Sequence, residues 1–326
     1  MLPDDIDLST RAGRSSVGKL GSYLAYLPAP VDVLVGDGSC RHSSRGLRFH
    51  LWQGELPPRS SIEIGSYAHV TSPAMTLATM ASQLSYFELT MAAYEMCGTF
   101  SSIRLMHEHV EAAREALPRL GAFGSWRPVL DRRGNITDLW TRPPLLDVDE
   151  LVEFTHSIKG RRGSRRLIEA AESVLGVCAS PLEVQAAMLL AGRRSRGGAG
   201  IGPVELNRRV RLTAPVRAIA SSDHLVVDQY YEGDPPAVIE LQGAVAHDDE
   251  RSAMRDADRL LALSAMGFCC LPITYRQLVD VERCDRLARH LAGLLGREYR
   301  EKTDRQRASE RELRRYVFSD WTALGM

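Results

Sequence analysis

The chain has 326 residues, 44% of them hydrophobic, with 41 basic and 41 acidic side chains and a formal charge of zero. That is material for one large or two ordinary domains. It excludes a bulk polycation, so any nucleic-acid surface has to come from local clustering. The basic residues are nearly all arginine; the lysines are Lys19, Lys159 and Lys302. No apolar run is long enough to span a bilayer and MLPDDIDLST lacks a signal-peptide core, so the expectation is a cytoplasmic protein with no membrane partner. The six cysteines, at 40, 97, 178, 269, 270 and 284, form no CxxC pair. They read as reduced core residues rather than a disulfide frame or a zinc site.

Residues 1–20 are polar, an expected mobile N-terminus. From about 21 to 70 the pattern is β: SYLAYLPAP, VDVLVG, GLRFHLWQG and SIEIGSYAHV, separated by Pro and Gly clusters. At Ser72 the period changes, and residues 72–97 suit two packed helices opened by a Ser-Pro pair. Residues 102–121 predict a third helix, stopped at Pro118 and Gly121. His107 and His109 within it lie two apart, share no helix face and read as surface residues. These segments form an α+β domain over 21–125. Residues 126–158 are a connection with some structure of its own and a short helix at 147–158. A basic loop at 159–166 then enters a helix. SPLEVQAAMLLAG (180–192) is another helix, with Ser180 as N-cap and Glu183 three residues on. The loop RRSRGGAGIG (193–202) lacks the spacing and the Lys-Ser/Thr of a phosphate loop.

Residues 223–274 organise the rest. LVVDQYY (225–231) is β-branched and aromatic, EGDPP (232–236) is a turn, and AVIELQ (237–242) is a second strand. Pairing about that turn puts Asp228 beside Ile239 or Glu240, and strands about 4.8 Å apart let the two acids hold a common ion. His247 and three acids at 248–250 open a helix at its positive end. Met254, Ala257 and Leu261 give this helix an apolar stripe, and Gly267 stops it. FCCLPIT (268–274) is a third strand, and its Pro272 argues for an edge or a strand end. Residues 297–321 form a charged helix with i,i+4 pairs Glu298–Lys302, Glu301–Arg305 and Glu310–Arg314. It reads either as a solvated helix or as an arm that lines DNA, docks a partner protein or forms a homodimer through YVF (316–318).

Asp228, a turn, Glu240-Leu-Gln242-Gly243, His247, Asp256-x-x-Arg259 and a Gly before a last strand together resemble the restriction-endonuclease (PD-(D/E)XK) fold. More narrowly, they are similar to the domain family grouped with very short patch repair endonucleases. The resemblance covers about 180–295. It implies an α/β domain over 159–296, a mixed sheet flanked by helices, followed by a charged C-terminal helix over 297–326. It also implies metal-dependent hydrolysis of DNA, with Asp228, Glu240 and Glu183 as ligands of Mg²⁺ or Mn²⁺. Either His247 or metal-bound hydroxide would do the proton work, and Asp256 and Arg259 would buttress the site or reach DNA. The first half, through its Val70–Leu77 segment Val-Thr-Ser-Pro-x-x-Thr-Leu, more loosely resembles the C-terminal domain of abortive-infection antitoxins.

The residues themselves leave alternatives open. Glu183 serves equally as a helix cap, His247 as a cap, and Asp256 and Arg259 as a local ion pair. Acids inside apolar strands mark either a site or a satisfied ion pair. The arginines at 161–166, 193–196 and 208–211 suit a phosphate backbone. Gln242 stands where the fold places a Lys and the repair branch an Asp, and Gln is neither a base nor a charge. Three functions follow: a metal-dependent nuclease, a DNA-binding or toxin–antitoxin-type regulator that keeps the fold without hydrolysis, and a protein-interaction module with no nucleic-acid role.

Overall fold

The computed structural model describes residues 31–40, 47–64, 68–105, 110, 126–131, 133–243 and 250–324. Two compact units divide them: one takes the described residues up to Gln83 with Asp149–Ile168, the other Leu84–Val148 and Glu169 onward. The chain is an α/β protein, and no helix among the described residues is long and apolar enough to cross a membrane.

In the first unit the β-rich pattern yields two small sheets. β1 (Val31–Val35) and β2 (Leu47–Leu51) pair in parallel, and β3 (Ser61–Ile64) and β4 (Ala68–Thr71) pair antiparallel. SYLAYLPAP lies outside the described residues. Helix α1 (Pro73–Met80) begins where the Ser-Pro pair predicts. Ser72 Oγ accepts from the Met75 N–H, and Pro73 has no N–H to leave orphaned in the first turn. The predicted short helix is Val148–Ser157.

In the second unit α2 (Tyr86–Cys97) starts with a full capping box between Ser85 and Glu88. The helix predicted from 102 does not begin there. Ser102 ends strand β5 (Phe100–Ser102), its N–H held by the Glu95 carboxylate at 3.0 Å; most of the remaining segment, with His107 and His109, lies outside the described residues. β6 (Arg127–Leu130) and β7 (Ile136–Thr141) come from the expected connection and join β5 in a three-stranded antiparallel sheet.

The second sheet of this unit positions the acids. Helix α3 (Pro181–Ala186) runs on into a π turn over Ala187–Ala191. There follow β8 (Glu205–Arg211), α4 (Ala214–Ala220), β9 (His224–Tyr231), β10 (Ala237–Gln242), α5 (Glu250–Ala265) and β11 (Cys269–Thr274). The strand order is β11-β10-β9-β8. β8, β9 and β10 are antiparallel neighbours, and α5 is the crossover that returns the chain to a parallel β11. β11 takes the edge, as Pro272 requires. Leu263 of α5 packs on Val210, Val227, Tyr230 and Val238, and Ala262 on Leu212 and Val216. The stripe expected to face the core faces out instead: Met254 is 61% and Leu261 56% exposed, and Ala257 is exposed with them. Apolar residues lie all round this helix's second half, and the sheet accepted the other row.

The C-terminal segment is neither a solvated helix nor a free arm. Residues 297–303 are not helical; α7 (Asp304–Val317) packs against α2 and is joined to α6 (Val281–Leu294) by the Arg307–Asp285 ion pair at 2.5 Å. Of the three predicted pairs only Glu310–Arg314 forms, at 3.2 Å. Lys302 reaches Glu310 instead, at 2.9 Å, and Glu301 pairs with Arg289 at 2.6 Å. Tyr316 stacks on Phe87, Val317 is buried, and Phe318 meets the Tyr275 ring edge-on. The apolar YVF end expected to dock a partner or a second copy is thus packed within its own unit. Cys97, Cys178, Cys269, Cys270 and Cys284 are free thiols.

Candidate functional site

The hairpin register sets the site. Tyr231 faces Ala237 and Gln229 faces Ile239, so the next rung brings Asp228 to Glu240. There the ladder changes partner: Asp228 Oδ2 accepts from the Leu241 N–H at 2.6 Å. On the other side, Leu206 faces Gln229 and Arg208 faces Val227, which puts Asn207 across from Asp228. Asn207 has φ +49°, a left-handed conformation inside a strand. That conformation costs a non-glycine residue energy and clusters at functional sites. It accompanies an amide that donates to Glu183 Oε2 at 2.6 Å and to the Val177 carbonyl at 3.0 Å.

Glu183 arrives from the first turn of α3. Ser180 Oγ accepts from its N–H, and its carboxylate takes the Ala179 N–H at 2.7 Å and the Ser180 hydroxyl at 2.9 Å. The cap reading therefore holds, one residue earlier in the chain than the usual reciprocal bond. Glu183 faces the sheet as well, so the same carboxylate adds its charge to Asp228.

Arg259 closes the opposite side. Its Nε donates to Glu240 Oε2 at 2.6 Å and its Nη2 to Oε1 at 3.1 Å, a two-pronged pair; Nη2 also donates to the Val226 carbonyl. The Asp256–Arg259 pair open in the sequence thus gives way to Arg259–Glu240, with Asp256 contributing charge nearby. Two-pronged arginine–carboxylate contacts are among the stronger and more directional ion pairs.

Among the described residues, three acids against one arginine leave negative charge uncompensated. Burial, then Glu183, then Glu240 push the Asp228 carboxyl up to about 7, against the Leu241 N–H and Arg259. Burial raises Glu183, opposed by its three hydrogen bonds, and raises Glu240, opposed by Arg259. Burial also drives the neighbouring Cys178 thiol well above its ordinary value, which removes it as a nucleophile.

The donors suit a hard divalent cation by type, carboxylate oxygen being what Mg²⁺ and Mn²⁺ take. Their arrangement does not suit one. Among the described residues no group of three Asp, Glu, His or Cys side chains is placed to hold a metal ion. Arg259 occupies both oxygens of Glu240, and Glu183 is turned to its cap and to Asn207. Gln242 lies opposite Thr274 where parallel β10 and β11 end, half-buried. His247 lies outside the described residues. Lys302 is held by Glu310 and Asp285, so it does not supply the amine that Gln242 lacks.

Most of the flanking arginines are engaged elsewhere. Arg161 donates to the Gln53 carbonyl and Arg166 to that of Ala81. Arg193 pairs with Glu172, Arg196 with Glu169, and Arg194 binds the Arg300 and Glu301 carbonyls. Arg208 lies over the Tyr230 ring and pairs with Glu205. Arg209 and Arg211 differ. Both are exposed on the edge strand β8; Arg209 contacts His224 Nδ1, and among the described residues neither has a carboxylate partner.

The structure thus brings Glu183, Asp228, Glu240 and Arg259 together, with Gln242 two residues along the same strand. It adds Asn207 of β8, with Arg209 and Arg211 further along the same strand. Arg209 and Arg211 lay within a recognised arginine group. For Asn207 the only signal was an Asn, a residue that tolerates the left-handed region, within an otherwise extended segment. Comparison of the chain with protein-family models, with curated proteins and with solved structures finds no match in any of the three.

Proposed function

We propose that the second unit is a DNA-binding domain of the restriction-endonuclease-like type in which hydrolysis is silent, acting as a regulator in the manner of an antitoxin. Support for the fold comes from order and topology: a leading helix with Glu183, strands with Asp228 and Glu240, a crossover helix with Asp256 and Arg259, and a mixed sheet between helices. The observation that carries the silent reading is Glu240. Both its oxygens are held by Arg259, and Gln242 follows it where a general base would stand. Arg209 and Arg211, exposed without carboxylate partners among the described residues, support contact with phosphates.

Fluorescence anisotropy with a labelled duplex in chelator tests this reading. Binding is expected without metal and weakens with salt. Replacing Arg209 and Arg211 by Ala should flatten the log–log salt slope by about 1.8, the loss of two phosphate contacts. Binding that ignores salt, or none at all, would sink the DNA assignment and favour the protein-interaction module. A second reading, metal-dependent hydrolysis with Asp228, Glu240 and Glu183 holding Mg²⁺ or Mn²⁺, is favoured by one observation. Among the described residues the three acids outnumber their one arginine, and burial, then Glu183, then Glu240 push the Asp228 carboxyl up to about 7.

A further inference from the structure

We infer that Arg259 supplies, from within the chain, the positive charge that the endonuclease resemblance assigns to a metal ion. The inference rests on the silent reading above and concerns what has taken over the ion's electrostatic task. Each acid has a different source of support. Glu183 is served by the Ala179 N–H, the Ser180 hydroxyl and the Asn207 amide. Asp228 is served by the Leu241 N–H. For Glu240, Arg259 is the donor to both oxygens.

The guanidinium is fixed rather than adaptable. Its Nη2 also donates to the Val226 carbonyl, so the fork is held by strands β9 and β10 together. Its helix is seated on the sheet by Ala262 and Leu263, one turn further on. A planar, always-charged fork of this kind matches a carboxylate edge, which a lysine ammonium does not. Without Arg259, three half-buried to buried carboxylates would share one place with no cation among the described residues, and a divalent ion would gain its opening.

Thermal melting of the full chain tests this, using wild type, Arg259→Met and Arg259→Lys, each in chelator and in MnCl₂. The wild-type midpoint is expected to be the same in both buffers. Arg259→Met should melt roughly 5–10 °C lower in chelator, the consequence of leaving a buried carboxylate unpaired, and should recover part of the loss in Mn²⁺. Arg259→Lys should fall between, a point charge replacing a fork. A wild-type midpoint that rises with Mn²⁺ as much as the variant's, or an Arg259→Met protein that melts with wild type, overturns the inference. If Arg259→Met does not fold in either buffer, Arg259→Lys decides. A lowered midpoint raised by Mn²⁺ supports the inference, and one unchanged in both buffers overturns it. DNA is absent from this readout, so failure to bind DNA would count against the functional reading alone.

Discussion

Two charge clusters in the second unit carry opposite balances. At the sheet, Glu183, Asp228 and Glu240 lie together, and among the described residues Arg259 is the one cation that Asp228 and Glu240 meet. At the C-terminal helices, Asp285 and Glu310 are met by Lys302, Arg307 and Arg314. Lys302 is 2% and Glu310 3% exposed at the side chain. The pKa shifts follow the balance. Burial pushes Glu310 up, but Lys302, Arg314 and Arg307 outweigh it and hold its carboxyl below the ordinary range. Burial and two other acids push Asp228 up to about 7. The C-terminal cluster is a clamp: its cations also bind backbone, Arg314 reaching the Leu278 carbonyl at 2.7 Å. The sheet cluster is poorly compensated where a clamp would be satisfied, the imbalance expected of a site rather than a fastening.

The comparison breaks first at Glu310. Glu310→Ala strands Lys302, Arg307 and Arg314 around a buried gap and should cost roughly 3–5 kcal/mol in chemical denaturation. A loss below about 1 kcal/mol would mean that the clamp contributes no more than a surface pair.

Asp228→Asn should go the other way. In the unfolded chain Asp228 ionises near its ordinary value of 3.8, whereas the folded chain keeps the proton to about 7. Between those values the folded state holds the extra proton, so wild-type stability falls as pH rises through the window. The amide has no proton to lose. Asp228→Asn should therefore gain on wild type from about pH 4 to pH 7 and level off above, by on the order of 4 kcal/mol. Equal stability of the two across that range would show that Asp228 is ionised throughout.

Asn207→Gly separates conformation from contact. Glycine is at ease at φ +49°, so what remains is loss of the amide that serves Glu183, about 1–3 kcal/mol. A variant as stable as wild type would reduce Asn207 to a strand irregularity.

Much of the sheet cluster was legible in the sequence, because it is built on short-range rules. β-branched runs about a Gly/Pro turn specify a hairpin. Alternation puts Asp228 and Glu240 within reach, and a Ser-Pro start with Glu three residues beyond the Ser specifies the Glu183 cap. The remainder depended on choices that local pattern does not make. Helix α5 is apolar on more than one side, and only the sheet selects Leu263 over Met254 and Leu261. Lys302 bypasses its i−4 partner for Glu310, eight residues on and across a helix start. Arg259 prefers Glu240, nineteen residues back, to Asp256 on its own helix, because the crossover lays that helix over the strand. Asn207 leaves the extended region at one residue, which composition does not announce.

The most direct measurement is a supercoiled-plasmid assay of the full chain with Mn²⁺, read for mobility and nicking on one gel, beside an Asp228→Ala, Glu240→Ala double variant. A silent, DNA-binding domain retards the plasmid and leaves it supercoiled with either protein. Nicked circles that accumulate with wild type and vanish with the double variant would contradict it, and would make these acids the working site of a metal-dependent nuclease.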